Sequence, residues 1–171
     1  VSGQLQGRVM TSTAAGRDGM GFGWINRELI ASGETLEHMN PYGGEDRFWI
    51  GPEGGQFSIF FEEGAAFDLE HWYTPAPLDT EPWQLVSRST SEAAFQKEMR
   101  LVNYSGAVFD VRVDRTVRVL EPSSAEELLG VAVPAGTNFV AFESDNSMTN
   151  TGSRAWNKQS GLLSIWILGM F

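Results

Sequence analysis

The chain is a succession of short apolar-rich runs separated by Gly, Pro, Asn and Ser, and its clearest runs alternate apolar with polar positions. Such alternation belongs to strands with one buried face, because successive side chains of a strand point to opposite sides. Strands are predicted over residues 4–11, 20–26, 56–61, 83–89, 93–102, 107–120, 137–145 and 162–170. Many short strands with turn residues between them imply an all-β protein, an antiparallel β-sandwich. One short helix is predicted near 123–129. In "PSSAEELLG", Ser123 or Ser124 offers an N-cap, Glu126 and Glu127 lie in the first turn, and Gly130 stops the helix. "TPAPLDTEP", residues 74–82, reads as a proline-rich loop, and no repeat or linker divides residues 1–171 into more than one domain.

One hairpin can be set in register from the pattern alone. Phe95, Met99 and Leu101 alternate in "AAFQKEMRLV", and Phe109, Val111, Val113, Val117 and Val119 alternate in "AVFDVRVDRTVRVL". Both apolar sets share a face only if paired residue numbers sum to an even value. A Tyr104-Ser105-Gly106 loop meets that condition, with Gly106 left-handed and Asn103 opposite Ala107. Glu98 then falls opposite Arg112 and Arg100 opposite Asp110, two complementary pairs on the polar face. The same register puts Lys97 and Arg115 on the apolar face, diagonal to each other. Two cations there require either acids from the 34–82 segment, reached at the sheet rim, or a cleft in which they meet a ligand.

The last ten residues, "LLSIWILGMF", are nearly all apolar and read as a strand buried on both faces. A strand of that kind at the end of a chain implies a domain incomplete at its C-terminus. Self-association through this strand is the other way to cover it.

Charge changes the picture more than overall composition does. The net charge is −10, and residues 34–82 hold eleven of the 22 acids against a single base, Arg47. The field of that segment repels phosphate, which excludes nucleic acid and anionic membrane as partners. Twelve of the twenty aromatics lie between Phe22 and Trp83. Acids and rings on glycine-rich loops suit a saccharide ligand, since carboxylates accept from hydroxyls and rings cover the apolar sugar face; the same composition also describes an acidic surface over an aromatic core. Cysteine is absent, which removes thiolate chemistry and leaves the compartment open, with an exported setting favoured over the cytoplasm.

The candidate chemistry is sparse. There is no Gly-x-Ser-x-Gly elbow, and the histidines are His38 and His71 only. "GRDGMGFGW" lacks the spacing and βαβ surroundings of a nucleotide loop. No cofactor is called for, although acid-rich loops leave room for a calcium ion. In "GGEDRFWIGPEGGQF" the flanking glycines predict a loop that presents Glu45, Asp46, Arg47, Trp49 and Glu53 to a ligand, or else a loop clamped by Arg47. In "DLEHWY", His71 lies among acids that would raise its pKa, as an acid catalyst requires.

The motifs "GRVMTSTA", "FGWINRELI", "GGEDRFWIGPEGGQFSIFF", "FDLEHW", "VAFESDNSMTNTGSRAW" and "GLLSIWILGMF" together resemble an uncharacterised bacterial domain-of-unknown-function family, associated with the galactose mutarotase-like superfamily. The resemblance implies a β-supersandwich with a carbohydrate site, of which this chain would be the N-terminal half. Superfamily epimerases use a histidine acid, in a region like that after "TNTGSRAW", and a glutamate base near the C-terminus. Here Asn157 and Lys158 occupy that vicinity, and no histidine follows His71. The expectation is a carbohydrate-binding protein in which Asn26, Arg27, Glu45, Asp46, Arg47, Trp49 and Glu53 contact ligand. If it is an aldose-epimerase-like enzyme, His71 or Lys158 supplies the acid. A non-catalytic glycan-binding or structural module is the alternative.

Overall fold

A computed structural model describes residues 1–171. The strands are β1 (Arg47–Gly51), β2 (Gln84–Arg88), β3 (Glu92–Val102), β4 (Val108–Val119), β5 (Phe142–Asn150) and β6 (Ser164–Leu168). They form a four-stranded antiparallel sheet in the order β2-β3-β4-β5 and a two-stranded antiparallel sheet, β1-β6. The short helices are α1 (Arg27–Ser32), α2 (Ala76–Asp79) and α3 (Pro122–Leu129). The protein is therefore all-β and sandwich-like. One core spans both sheets, with Phe48 and Ile50 of β1 in the same cluster as Phe95, Met99, Phe109 and Val111 of β3 and β4.

The β3–β4 hairpin has the register that alternation demands. Glu98 faces Arg112, Arg100 faces Asp110 and Leu101 faces Phe109. Gly106 takes φ 76°, and the Asn103 and Gly106 amides close the turn on Ala107 and Asn103 carbonyls at 3.0 and 2.8 Å. Arg100 pairs with Asp110 at 2.8 Å, whereas Arg112 turns along its own strand to Asp114 at 2.9 Å rather than across to Glu98. Both cations on the apolar face find acids from the 34–82 segment. Lys97 meets Glu81 at 2.6 Å, and Arg115, wholly buried instead of reaching for the rim, pairs with Asp46.

Several elements differ from the sequence expectation. Residues 47–51 form a strand buried at every position, although flanking glycines and adjacent charges predicted a loop. Its one charge, Arg47, is tolerated because it pairs with buried Asp79, contributed by a segment 32 positions away. Residues 4–11 and 20–26 form isolated bridges, Val9 to Asp46 and Ile25 to Gly43, rather than strands. In 56–61, Ile59 and Phe60 are buried without joining a ladder. The strand expected at 137–145 lies at 142–150, and the 74–82 loop contains α2.

α3 begins one residue before the expected caps, with Glu121 at the N-cap and Pro122 at the first helical position. Proline's fixed φ suits that position, and its missing N–H is no loss there. α1 was not expected. Asn26 Oδ1 accepts from the Leu29 amide at 3.1 Å, and Gly33 ends the helix at φ 68°.

The C-terminal run is also a correction. β6 pairs with β1 and packs Ile165 and Leu168 against the core, but Trp166 and Ile167 are 41% and 38% exposed, so it is not buried on both faces. As an outer strand of a two-stranded sheet, it has one neighbour instead of two. No helix is long and apolar enough to cross a membrane.

Candidate functional site

The side chains of the 43–57 segment are engaged within the protein. Glu45 accepts from the Ser12 amide and hydroxyl. Asp46 accepts from Arg115 and, at 2.9 Å, from the Ser144 hydroxyl. Arg47 donates to Asp79 at 2.8 Å and to the Leu78 carbonyl at 2.9 Å, with its guanidinium 4.3 Å from the centre of the Trp49 ring. Trp49 is buried, stacked on Phe60 at 5.4 Å, and donates its indole N–H to Glu53. The 45–49 side chains thus hold the N-terminal segment, β5 and α2 onto β1. Arg47 in this way fastens α2 to β1.

The other predicted residues are dispersed. Asn26 caps α1, and Arg27 is exposed at its start. His71 is half-buried as a residue, with its side chain 44% exposed, and its Nδ1 lies 2.6 Å from Asp68. Lys158 is exposed in the turn closed by the Asn157–Gly161 bridge. No group of three or more His, Asp or Glu side chains comes together in a form that could hold a metal ion.

The His71–Asp68 pair gives a pH prediction. The hydrogen bond to Asp68 holds His71 above its ordinary 6.5, and the same bond holds Asp68 below its ordinary 3.8. The histidine contribution is complete below the unfolded imidazole value and lost as pH rises through the raised one. The aspartate contribution is complete above the unfolded carboxyl value and lost as pH falls through the lowered one. The pair is therefore strongest between those ordinary values. NMR titration should find His71 Cε1–H with a raised midpoint, and Asp68→Asn should return it toward 6.5; an unchanged midpoint in the variant would assign the shift elsewhere.

A more coherent polar site forms where the β3–β4 hairpin meets the segment after β5. A cleft of about 570 Å³ is lined there by Arg100, Asp110, Asn150, Ser153, Arg154 and Asn157, among others. That volume lies in the range of small-molecule sites. Its walls are fixed by side-chain to backbone bonds. Asn150 accepts from the Gly152 amide at 2.9 Å and donates to the Arg154 carbonyl at 2.8 Å. The Thr151 amide donates to the Asp110 carbonyl at 3.0 Å, and buried Asn103 donates to the Ser160 carbonyl at 2.9 Å. Asn157 Oδ1 closes its turn by accepting from the Gln159 and Ser160 amides at 2.9 and 3.0 Å. Below the loop, Trp156 meets Phe109 edge-on at 5.8 Å.

The cleft presents donors to a ligand. Arg154 has no carboxylate within ion-pair distance, and Asp110, the carboxylate of the lining, already engages Arg100; Lys158, though nearby in sequence, does not line the cleft. Hydroxyl, amide and guanidinium groups gathered in this way suit an oxygen-rich ligand. Sequence reading reached Lys158 and the Asn157 vicinity but missed Arg100, Asp110, Asn150, Ser153 and Arg154. The available signal was "TNTGSRAWN", where turn-forming Asn, Gly and Ser surround an arginine directly after a polar strand.

No curated protein and no solved structure matches this chain. The family model described as a "Family of unknown function (DUF6786)" matches residues 1–171, and the chain belongs to that family.

Proposed function

We propose that the protein binds a saccharide, in the cleft between the β3–β4 hairpin and the 150–160 segment, on a β-sandwich of galactose mutarotase-like kind. The observation that carries this reading is that Arg154, Asn150, Asn157 and Ser153 line one cleft of about 570 Å³. Sugar hydroxyls both donate and accept, and pre-positioned groups bind them without a fresh ordering cost. Of the region after "TNTGSRAW" that the superfamily resemblance singles out, Asn157 and Ser160 line this cleft. The 43–57 residues support the site indirectly: Asp46 holds Arg115 and Ser144, and Ser144 belongs to β5, the strand that leads into the cleft.

Binding is favoured over catalysis. Ring opening at C1 needs an acid and a base at one carbon. His71 does not line this cleft, and Asp110 is held by Arg100. The test is calorimetric titration with a panel of mono- and disaccharides, on the chain and on Arg154→Ala. A charged hydrogen bond contributes about 1.5–3 kcal/mol, so the variant should bind roughly tenfold to a hundredfold more weakly. Binding that survives unchanged in the variant, or no binding of any saccharide, would sink the reading. Polarimetry with a bound aldose separates an epimerase, which speeds mutarotation, from a binder, which does not.

A further inference from the structure

A second cleft, formed within the 11–27 segment, is cationic in an acidic protein. It has a volume of about 380 Å³ and is lined by Thr11, Thr13, Arg17, Trp24 and Arg27 together with glycines of the 19–23 stretch. Of the twelve Lys and Arg residues, Arg47, Lys97, Arg100, Arg112, Arg115 and Arg118 form ion pairs. Arg17 and Arg27 form none, and neither guanidinium donates a hydrogen bond within the protein, yet both face this one cleft. Arg8, Arg88, Arg154 and Lys158 form no ion pair either, but Arg17 and Arg27 line one cleft together.

The nearby carboxylates form no ion pair with them. Glu45 lies behind Gly23, where its Oε1 would be 3.2 Å from a Cβ at that position, but both its oxygens are taken by Ser12. Asp18 and Glu28 adjoin the arginines in sequence and do not line the cleft. The cleft thus offers two planar guanidinium forks, the group best matched to a carboxylate.

The third component is Trp24. Its side chain belongs to a residue 46% exposed, although its backbone is held on both sides: its amide donates to the Met170 carbonyl at 3.0 Å, and its carbonyl accepts from the Gly44 amide at 2.9 Å. An exposed indole on a fixed backbone is a stacking surface available at little ordering cost. Thr11 and Thr13 add hydroxyls at the wall.

We propose that this cleft is a second binding site, for a sugar ring bearing a carboxylate, of the uronate class. Arg17 and Arg27 take the carboxylate and Trp24 takes the apolar face of the ring. The site stands on this cleft alone and does not require the 150–160 cleft to bind anything.

The probe is sodium glucuronate, titrated calorimetrically beside glucose, sodium acetate and inorganic phosphate, with polygalacturonate as the polymeric source of the same chemistry. Glucuronate is expected to bind at least tenfold more tightly than glucose, acetate or phosphate, and more weakly as salt rises. Arg17→Ala, Arg27→Ala and Trp24→Ala should each weaken it about tenfold or more, while Arg154→Ala leaves it unchanged. Tighter binding of polygalacturonate than of glucuronate would place the site on a polymer; the reverse would place it on the free sugar; the proposal holds in either case. All three positions are exposed, and thermal unfolding of each variant checks that the fold is kept. Glucuronate binding no better than glucose, acetate or phosphate overturns the proposal. So does binding retained in both arginine variants, or lost only with Arg154→Ala, which would move the anion to the other cleft.

Discussion

Asp46→Ala is expected to lower the unfolding free energy by about 3–5 kcal/mol, the range for removing one partner of a buried ion pair. The Arg115 side chain is 0% exposed and draws together three separate segments. Its Nε donates to the Gly7 carbonyl at 3.0 Å, one terminal nitrogen donates to Asn146 at 2.7 Å, and the other reaches the Asp46 carboxylate and, at 3.3 Å, the Asp46 carbonyl. Truncating Asp46 leaves that charge in place with neutral acceptors only, and also strips the Ser144 hydroxyl of its acceptor. Urea unfolding of the two proteins measures the difference. Replacing both partners by apolar residues, Asp46→Leu with Arg115→Met, should recover much of the loss, since no charge is then left buried. A loss below about 1 kcal/mol in Asp46→Ala would show a pair no stronger than a surface one.

The second large effect belongs to Asp79. This buried carboxylate accepts from Arg47 at 2.8 Å, from the Asn40 amide at 3.0 and 3.1 Å, and from the Asn40 side chain at 2.7 Å. Burial pushes the Arg47 guanidinium below its ordinary value, and Asp79 is the strongest influence in the other direction. Without it, Arg47 keeps only the Leu78 carbonyl and the face of Trp49. Its Nε and second terminal nitrogen already lack partners. Arg8, also buried, is pushed down to about 9, by burial first and the nearby Arg47 charge second.

Asp79→Ala should therefore cost about 3–5 kcal/mol. Asp79→Asn, which keeps an acceptor for Asn40, should cost less. The check is the shift in urea midpoint at constant slope. Equal losses in the two variants would mean that the charge on Asp79 is immaterial and that only its shape counts.

These two carboxylates show how much of the molecule was legible beforehand. Asp46 stood in a stretch whose glycines and charges look like a binding loop, and nothing local reveals that its partner lies 69 positions away. The Arg47–Asp79 pair spans 32 positions and crosses from a strand to a helix inside an apparent proline loop. A buried strand is ordinarily apolar, so "EDRFW" could not be identified as one without its partners. The site was legible in outline only. "TNTGSRAWN" carried the turn residues and the arginine, but the opposite wall, Arg100 and Asp110, comes from a different hairpin.

What the sequence determined by itself was local or periodic: the all-β class, the β3–β4 register, the left-handed Gly106 and a helix ending at Gly130. Each follows from side-chain alternation or from φ angles that only glycine adopts readily, properties a short segment carries with it. The tertiary structure alone decided which charges are buried, which arginines remain free, and which two segments wall each cleft. Those outcomes depend on desolvation and on pairing between residues far apart in the chain, and neither exists until the segments have been brought together.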